Sequence, residues 1–230
     1  MAEGGKETRH IAALVHGTYL LERLPSIAGA PRLLVGFHGY GESAERHLDE
    51  LRRIPGASRW LLCAVQALHP FYSRANEVVA SWMTKLDRER AIADNIRYVA
   101  SVVAEVKRET GAAERLIYAG FSQGAAMAYR AAARSGHPCQ GVIVLGGDLP
   151  PELAAGSLSG FPPVLLGRGN REEWFDEAKM AADIDALRRQ GIDVRPVAYE
   201  GGHEWTDEFR RAAGEFLEQV DGPGRAPARP

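Results

Sequence analysis

The sequence predicts an α/β protein, a mostly parallel sheet covered by helices on both faces. From about Leu33, short apolar runs alternate with longer stretches of helical period, the succession expected of βαβ units. The runs are apolar almost throughout instead of alternating with polar residues, as strands buried on both faces require. Hydrophobic residues make up 45% of the 230 and charged residues 25%, enough apolar surface for one continuous core. One domain over residues 1–220 is expected, with the Gly- and Pro-rich tail DGPGRAPARP (221–230) disordered.

In chain order, HGTYLLERL (16–24) alternates weakly and reads as a strand joining one sheet edge as an antiparallel lead-in. RLLVGF (32–37), WLLCAV (60–65), RLIYAG (115–120), GVIVLG (141–146) and PVLLGR (163–168) read as buried strands. VRPVAY (194–199) is a sixth, and Pro196, which lacks a ladder donor, puts it near an edge. Ile92, Ile96, Val99, Val103 and Val106 recur at spacings of three and four and share one helix face. Residues 125–134 are Ala-rich and helix-prone, and residues 175–189 and 205–220 carry the same apolar period.

A formal net charge of −2 supplies no basic field, and no Lys/Arg run marks a patch, so nucleic acid is not an expected partner. Cys63 and Cys139 show neither the density of a disulfide scaffold nor the paired spacing of a zinc site. Both are read as reduced, with Cys63 in the core. The first residues lack the apolar run of a secretory signal, and no apolar run reaches the roughly 20 residues of a membrane span. A cytoplasmic enzyme is the expectation. A homo-oligomer is left open.

The chemistry centres on GFSQG (120–124), which follows the run RLIYA directly and leads into the Ala-rich helix. A G-x-S-x-G motif at a strand-to-helix turn holds its serine in a strained conformation with the hydroxyl clear of the sheet, which makes Ser122 the candidate nucleophile. A serine hydroxyl is a weak nucleophile until a base takes its proton. In sheets of this kind the partners follow in the order Ser, acid, His. Only His137 and His203 follow Ser122. His137 lies a helix length away, whereas His203, in YEGGHEW, follows the last strand and is the expected base.

The acid is sought after the run PVLLGR, where GNREEWFDE offers Glu172, Glu173 and Asp176. Glu172 is favoured over Glu173 because it is nearer the strand end. Asp176 is read as a solvated charge inside the next helix, and Asp148 is a further option after GVIVLGG. The carboxylate's task is to hold the imidazole tautomer and stabilise the imidazolium, which Glu can do as Asp does. Two backbone N–H groups are needed for the oxyanion: that of Gln123, after the nucleophile, and that of Tyr40 in the glycine-rich loop GFHGYGES (36–43).

Taken together, FHGYGES, SWMTKLD, GFSQGAAMA, LGGDLP, LLGRG and GGHEW, in that order from about Val35 to Trp205, resemble the phospholipase/carboxylesterase group of α/β-hydrolases, which includes the acyl-protein thioesterases. The resemblance implies an α/β-hydrolase fold, a Ser, acid, His triad, an oxyanion hole at Gln123 and Tyr40, no cofactor, and activity on small-molecule acyl esters or thioesters. One departure is Glu172, where such sequences typically carry Asp. Residues 147–162 are too short for a large cap domain. The loop ALHPFYSRANEVVASW (67–82) is long and aromatic, and is the expected wall of an acyl pocket, with Trp82 near the site. A serine peptidase and a non-catalytic ligand-binding hydrolase relative are the competing readings.

Overall fold

A computed structural model describes residues 7–23, 30–112 and 115–221. Seven strands form one sheet: β1 (Tyr19–Glu22), β2 (Arg32–Phe37), β3 (Trp60–Val65), β6 (Leu116–Phe121), β7 (Gly141–Leu145), β8 (Val164–Gly169) and β9 (Val194–Tyr199). Their order is β1-β3-β2-β6-β7-β8-β9. Every pairing is parallel except β1 against β3. The antiparallel lead-in is thus at one edge, shorter than expected, and the Pro196 strand at the other, where only one neighbour asks for ladder donors. Leu24 and residues 222–230 of the tail expected to be disordered lie outside the described residues, while Asp221, counted in that tail, is the last residue of α6 (Asp207–Asp221).

Helices α2 (Arg88–Thr110), α3 (Gln123–Arg134), α5 (Glu177–Arg189) and α6 (Asp207–Asp221) fall where the apolar period put them, with ends displaced by a few residues. Successive strand residues point to opposite faces and feed two cores. Leu33, Val35, Leu61 and Cys63 meet α2, α3 and α5 on one face, while Leu34, Leu62, Ile117 and Leu165 meet α6 and a further helix on the other. Both cysteines are free, with Cys63 buried.

That further helix, α1 (Ala44–Arg52), was not anticipated between β2 and β3. Its buried residues Ala44, His47, Leu48 and Leu51 do follow a three-and-four spacing, but His47 reads as polar in sequence and breaks the apolar stripe. Ser43 caps it, its side chain accepting from the Arg46 N–H at 3.3 Å.

Two expectations need correction. The loop 67–82 is largely a β-hairpin, β4 (His69–Tyr72) against β5 (Val78–Ser81), because its Tyr72–Val78 pair closes around a polar turn in which Ser73 bonds residues 75–77. Asp176 is not inside α5 but is its N-cap, its carboxylate accepting from the Lys179 N–H at 2.8 Å. Residues 147–162 hold only the single turn α4 (Pro151–Ala154), so no large cap covers the strand ends. Among the described residues no helix is long and apolar enough to cross a membrane.

Candidate active site

Ser122 stands between β6 and α3 with φ 55° and ψ −120°, a conformation a non-glycine residue holds only when its surroundings over-determine it. Its N–H donates to Leu145 O at 2.8 Å, and its own carbonyl accepts from Ala125 at 2.9 Å, so neighbouring strand and helix lock the turn. Gly124 is required: a Cβ there would sit 2.0 Å from Phe37 O.

His203 lies in the loop between β9 and α6, its ring against that of Phe121 at a centroid distance of 4.7 Å. Its Nδ1 is 2.5 Å from Glu172 Oε2 and its Nε2 is 2.7 Å from Ser122 Oγ. A carboxylate only accepts, so Nδ1 carries the proton and Nε2 is left to accept from the serine hydroxyl. This loop folds close over the end of β8 because residue 169 is Gly; a Cβ there would lie 2.4 Å from the Gly201 and Gly202 carbonyls.

The structure separates the carboxylates that sequence left open. The Glu172 side chain is fully buried, and its Oε1 accepts from the Trp174 N–H at 2.9 Å while Oε2 faces His203. Glu173 is exposed, Asp176 is spent on its helix cap, and Asp148 is exposed beyond β7. His137 bonds the Ala100 carbonyl through Nε2 at 3.0 Å, away from Ser122.

The loop carrying Tyr40 abuts the nucleophile: a Cβ on Gly39 would lie 3.3 Å from Ser122 Cβ. The amides flanking Tyr40 are committed, Gly39 N–H to the Glu42 carboxylate at 2.8 Å and Gly41 N–H to Ala80 O at 3.0 Å. No hydrogen bond among the described residues takes the Tyr40 N–H. Its phenol points outward, against the ring of Phe71, so any role for Tyr40 in the site belongs to its backbone.

His38, which sequence reasoning passed over because it precedes Ser122, supports this loop from beneath. Its Nε2 accepts from the Ala67 N–H at 3.1 Å, which leaves the proton on Nδ1 for the Gly39 carbonyl at 2.7 Å. Burial pushes its imidazole below the usual range and keeps it neutral. Trp82 is not a pocket wall. It is fully buried, its ring edge-on to Phe37 at 5.5 Å and its indole N–H donating to His38 O at 2.9 Å. The Gln123 side chain, also unforeseen, holds the same strap: it accepts from Trp82 N–H at 2.7 Å and donates to Met83 O at 2.8 Å.

A cavity of about 430 Å³ opens beside His203, Phe121 and Trp205. A wider groove of about 720 Å³ lies between α2 and the far end of α3, and none of the candidate catalytic residues lines it.

Comparison with known proteins bears on the fold and the family. The family model described as Phospholipase/Carboxylesterase matches residues 27–221. The acyl-protein thioesterase 1 homolog 1 of Dictyostelium discoideum is 25% identical over 186 residues, 74% of this chain and 82% of that protein. The solved carboxylesterase of Mesorhizobium loti superposes with a TM-score of 0.74 at 18% identity, covering 89% of this chain and 95% of its own. The Bacillus cereus carboxylesterase gives a TM-score of 0.72 at 14% identity, over 89% and 94%. These two likenesses concern the fold alone. With the family model spanning the six parallel strands from β2 to β9, the GFSQG turn and the His203 loop, the chain belongs to the phospholipase/carboxylesterase family of α/β-hydrolases.

Proposed function

We propose that the protein is a serine carboxylesterase/thioesterase that hydrolyses acyl esters through a Ser122, Glu172, His203 triad and an acyl-enzyme intermediate. The observation that carries this reading is the unbroken chain from Ser122 Oγ to His203 Nε2 at 2.7 Å and from His203 Nδ1 to Glu172 at 2.5 Å. His203 takes the serine proton as Oγ attacks the acyl carbon, and Glu172 stabilises the imidazolium that forms. The oxyanion is received by the backbone N–H groups of Tyr40 and Gln123. As the tetrahedral intermediate collapses, the bond from carbon to the leaving oxygen or sulfur breaks, and the His203 Nε2–H proton passes to the leaving group. Water then repeats the sequence on the acyl-serine. The thioesterase name of the Dictyostelium relative supports including thioesters among the substrates.

The test is hydrolysis of p-nitrophenyl esters by the purified protein and by Ser122→Ala. The variant is expected to lose at least about 10³-fold in kcat, as removal of a triad nucleophile does elsewhere. Full activity in Ser122→Ala would overturn the reading. A fluorophosphonate probe should label the native protein and spare the variant, whereas a non-catalytic binding protein would label in neither form.

A further inference from the structure

The cavity beside His203 is polar, and its place in the reaction sets what it receives. The proton that His203 Nε2 returns goes to the leaving group, so the leaving group must lie on the His203 side of the tetrahedral carbon. The oxyanion occupies the side of the Tyr40 and Gln123 amides, and the acyl chain takes the remaining direction. The cavity of about 430 Å³ lies beside His203, between α1 with its flanking residues Glu42 and Arg53 and the start of α6.

Each of its three arginines is paired with an acid of the same lining. Arg46 pairs with Glu42 at 3.3 Å, Arg53 with Glu50 at 3.7 Å and Asp207 at 3.5 Å, and Arg210 with Glu50 at 2.5 Å and Asp207 at 2.6 Å. Glu204 adds a carboxylate with no guanidinium partner among the described residues, so the lining holds four acids against three arginines. Thr206 also lines it; its hydroxyl accepts from the Phe209 N–H at 3.3 Å and keeps its own proton to donate. Such a wall has its cations already paired and one acid in excess, so it offers nothing to an anionic leaving group and disfavours a polyanion. It presents carboxylate oxygens and a hydroxyl, in addition to guanidinium N–H groups, to anything that can both donate and accept. A long alkyl alcohol would desolvate these groups and return nothing.

We infer that this cavity is the leaving-group subsite and that it selects a neutral polyhydroxy alcohol, so that the preferred substrates are acyl esters of polyols. The inference rests on the catalytic reading above and adds to it the class of alcohol released.

The experiment compares pairs that share an acyl group. Monobutyrin and propyl butyrate both release a three-carbon alcohol and differ only in two hydroxyls. After each rate is divided by that of hydroxide hydrolysis, kcat/KM is expected to favour monobutyrin by about tenfold, the worth of one or two added hydrogen bonds. Among thioesters, S-butyryl-N-acetylcysteamine is expected to exceed butyryl-coenzyme A, whose phosphates meet the acidic wall. Arg53→Met, which removes a rim donor, is expected to narrow the monobutyrin preference by several-fold. A ratio near one for the ester pair, or a preference for the coenzyme A thioester, overturns the inference. If neither ester turns over and fluorophosphonate fails to label Ser122, the catalytic reading itself has failed. Labelling and turnover without the preference would sink only the subsite.

Discussion

At the residue scale, chemistry and burial sort carboxylates and histidines that look alike in sequence. Glu172 and Glu173 are neighbours of one type, yet the first is sealed against His203 and the second faces water. Glu172→Gln is therefore expected to lower kcat by about 10³–10⁴-fold, since the amide favours the wrong imidazole tautomer, while Glu173→Gln stays within about twofold; steady-state kinetics on one chromogenic ester decides, and the reverse pattern would move the acid to Glu173. His47 makes a prediction about pH. Burial in the α1 core, with His38 nearby, pushes its imidazole down to about 3. The unfolded chain binds that proton near the ordinary histidine value of 6.5 and the folded protein refuses it. Its contribution to stability is thus complete above that value and is lost as pH falls from about 6.5 toward 3, by up to about 1.4 kcal/mol per pH unit. Asp183 acts oppositely: burial raises its carboxyl to about 6, so its contribution is present at low pH and fades as pH rises from the unfolded value of 3.8 through 6. Because Asp183 is common to both proteins, urea midpoints at pH 7 and 4.5 should fall less for His47→Gln than for the native chain.

At the scale of elements, the hairpin β4–β5 and the strap Ser81–Met83 that follows it are tied to the start of α3 by one side chain. Gln123 satisfies the Trp82 N–H, the Ser81 hydroxyl (3.2 Å) and the Met83 carbonyl, while the Trp82 indole N–H holds His38 O. The hairpin and the Tyr40 loop are consequently anchored to the same turn that carries Ser122. Trp82→Phe keeps most of the ring but leaves a buried carbonyl without its donor, and a loss of about 1–3 kcal/mol is expected from equilibrium denaturation. Proteolysis within residues 67–83 should also become faster in that variant, because local opening of the strap follows the lost anchor. A loss confined to activity, with unchanged stability and protection, would show that the indole bond does not hold the strap.

At the scale of the whole molecule, the sheet separates two cores, and the site sits where the strand ends meet the loops. Helix α6 closes one core with Phe209, Phe216 and Leu217, all buried, and it begins four residues after His203. Docking of this helix is therefore expected to help place the candidate base. Phe216→Ala opens a cavity against Gly141, whose Cβ position lies 2.7 Å from the ring, and should cost about 3–5 kcal/mol in urea unfolding. If α6 docks as a unit, fluorophosphonate labelling of that variant should fall in parallel with its folded fraction. Labelling that persists after α6 is lost would dissociate the two.

What the sequence determined by itself was whatever depends on local pattern. The apolar runs predicted β2, β3 and β9 to the residue and the other core strands within one; for β2, β3 and β6 to β8 the reason is that strands buried on both faces read as unbroken apolar runs, while β9 is an edge strand bounded by Asp193 and Glu200. The GFSQG turn marked Ser122, and chain order then selected His203. Tertiary structure decided everything that depends on which groups are brought together across the fold. It distinguished Glu172 from its neighbours by burial, turned the 67–82 loop into a hairpin, placed Trp82 in the core, put His38 beneath the Tyr40 loop, and tied the Gln123 side chain to residues 81–83. The reason is physical: a strand's burial is written in its own residues, whereas a side chain's protonation, partner and exposure depend on residues up to 160 positions away, as for Arg210 and Glu50, and those meet only when the sheet has formed.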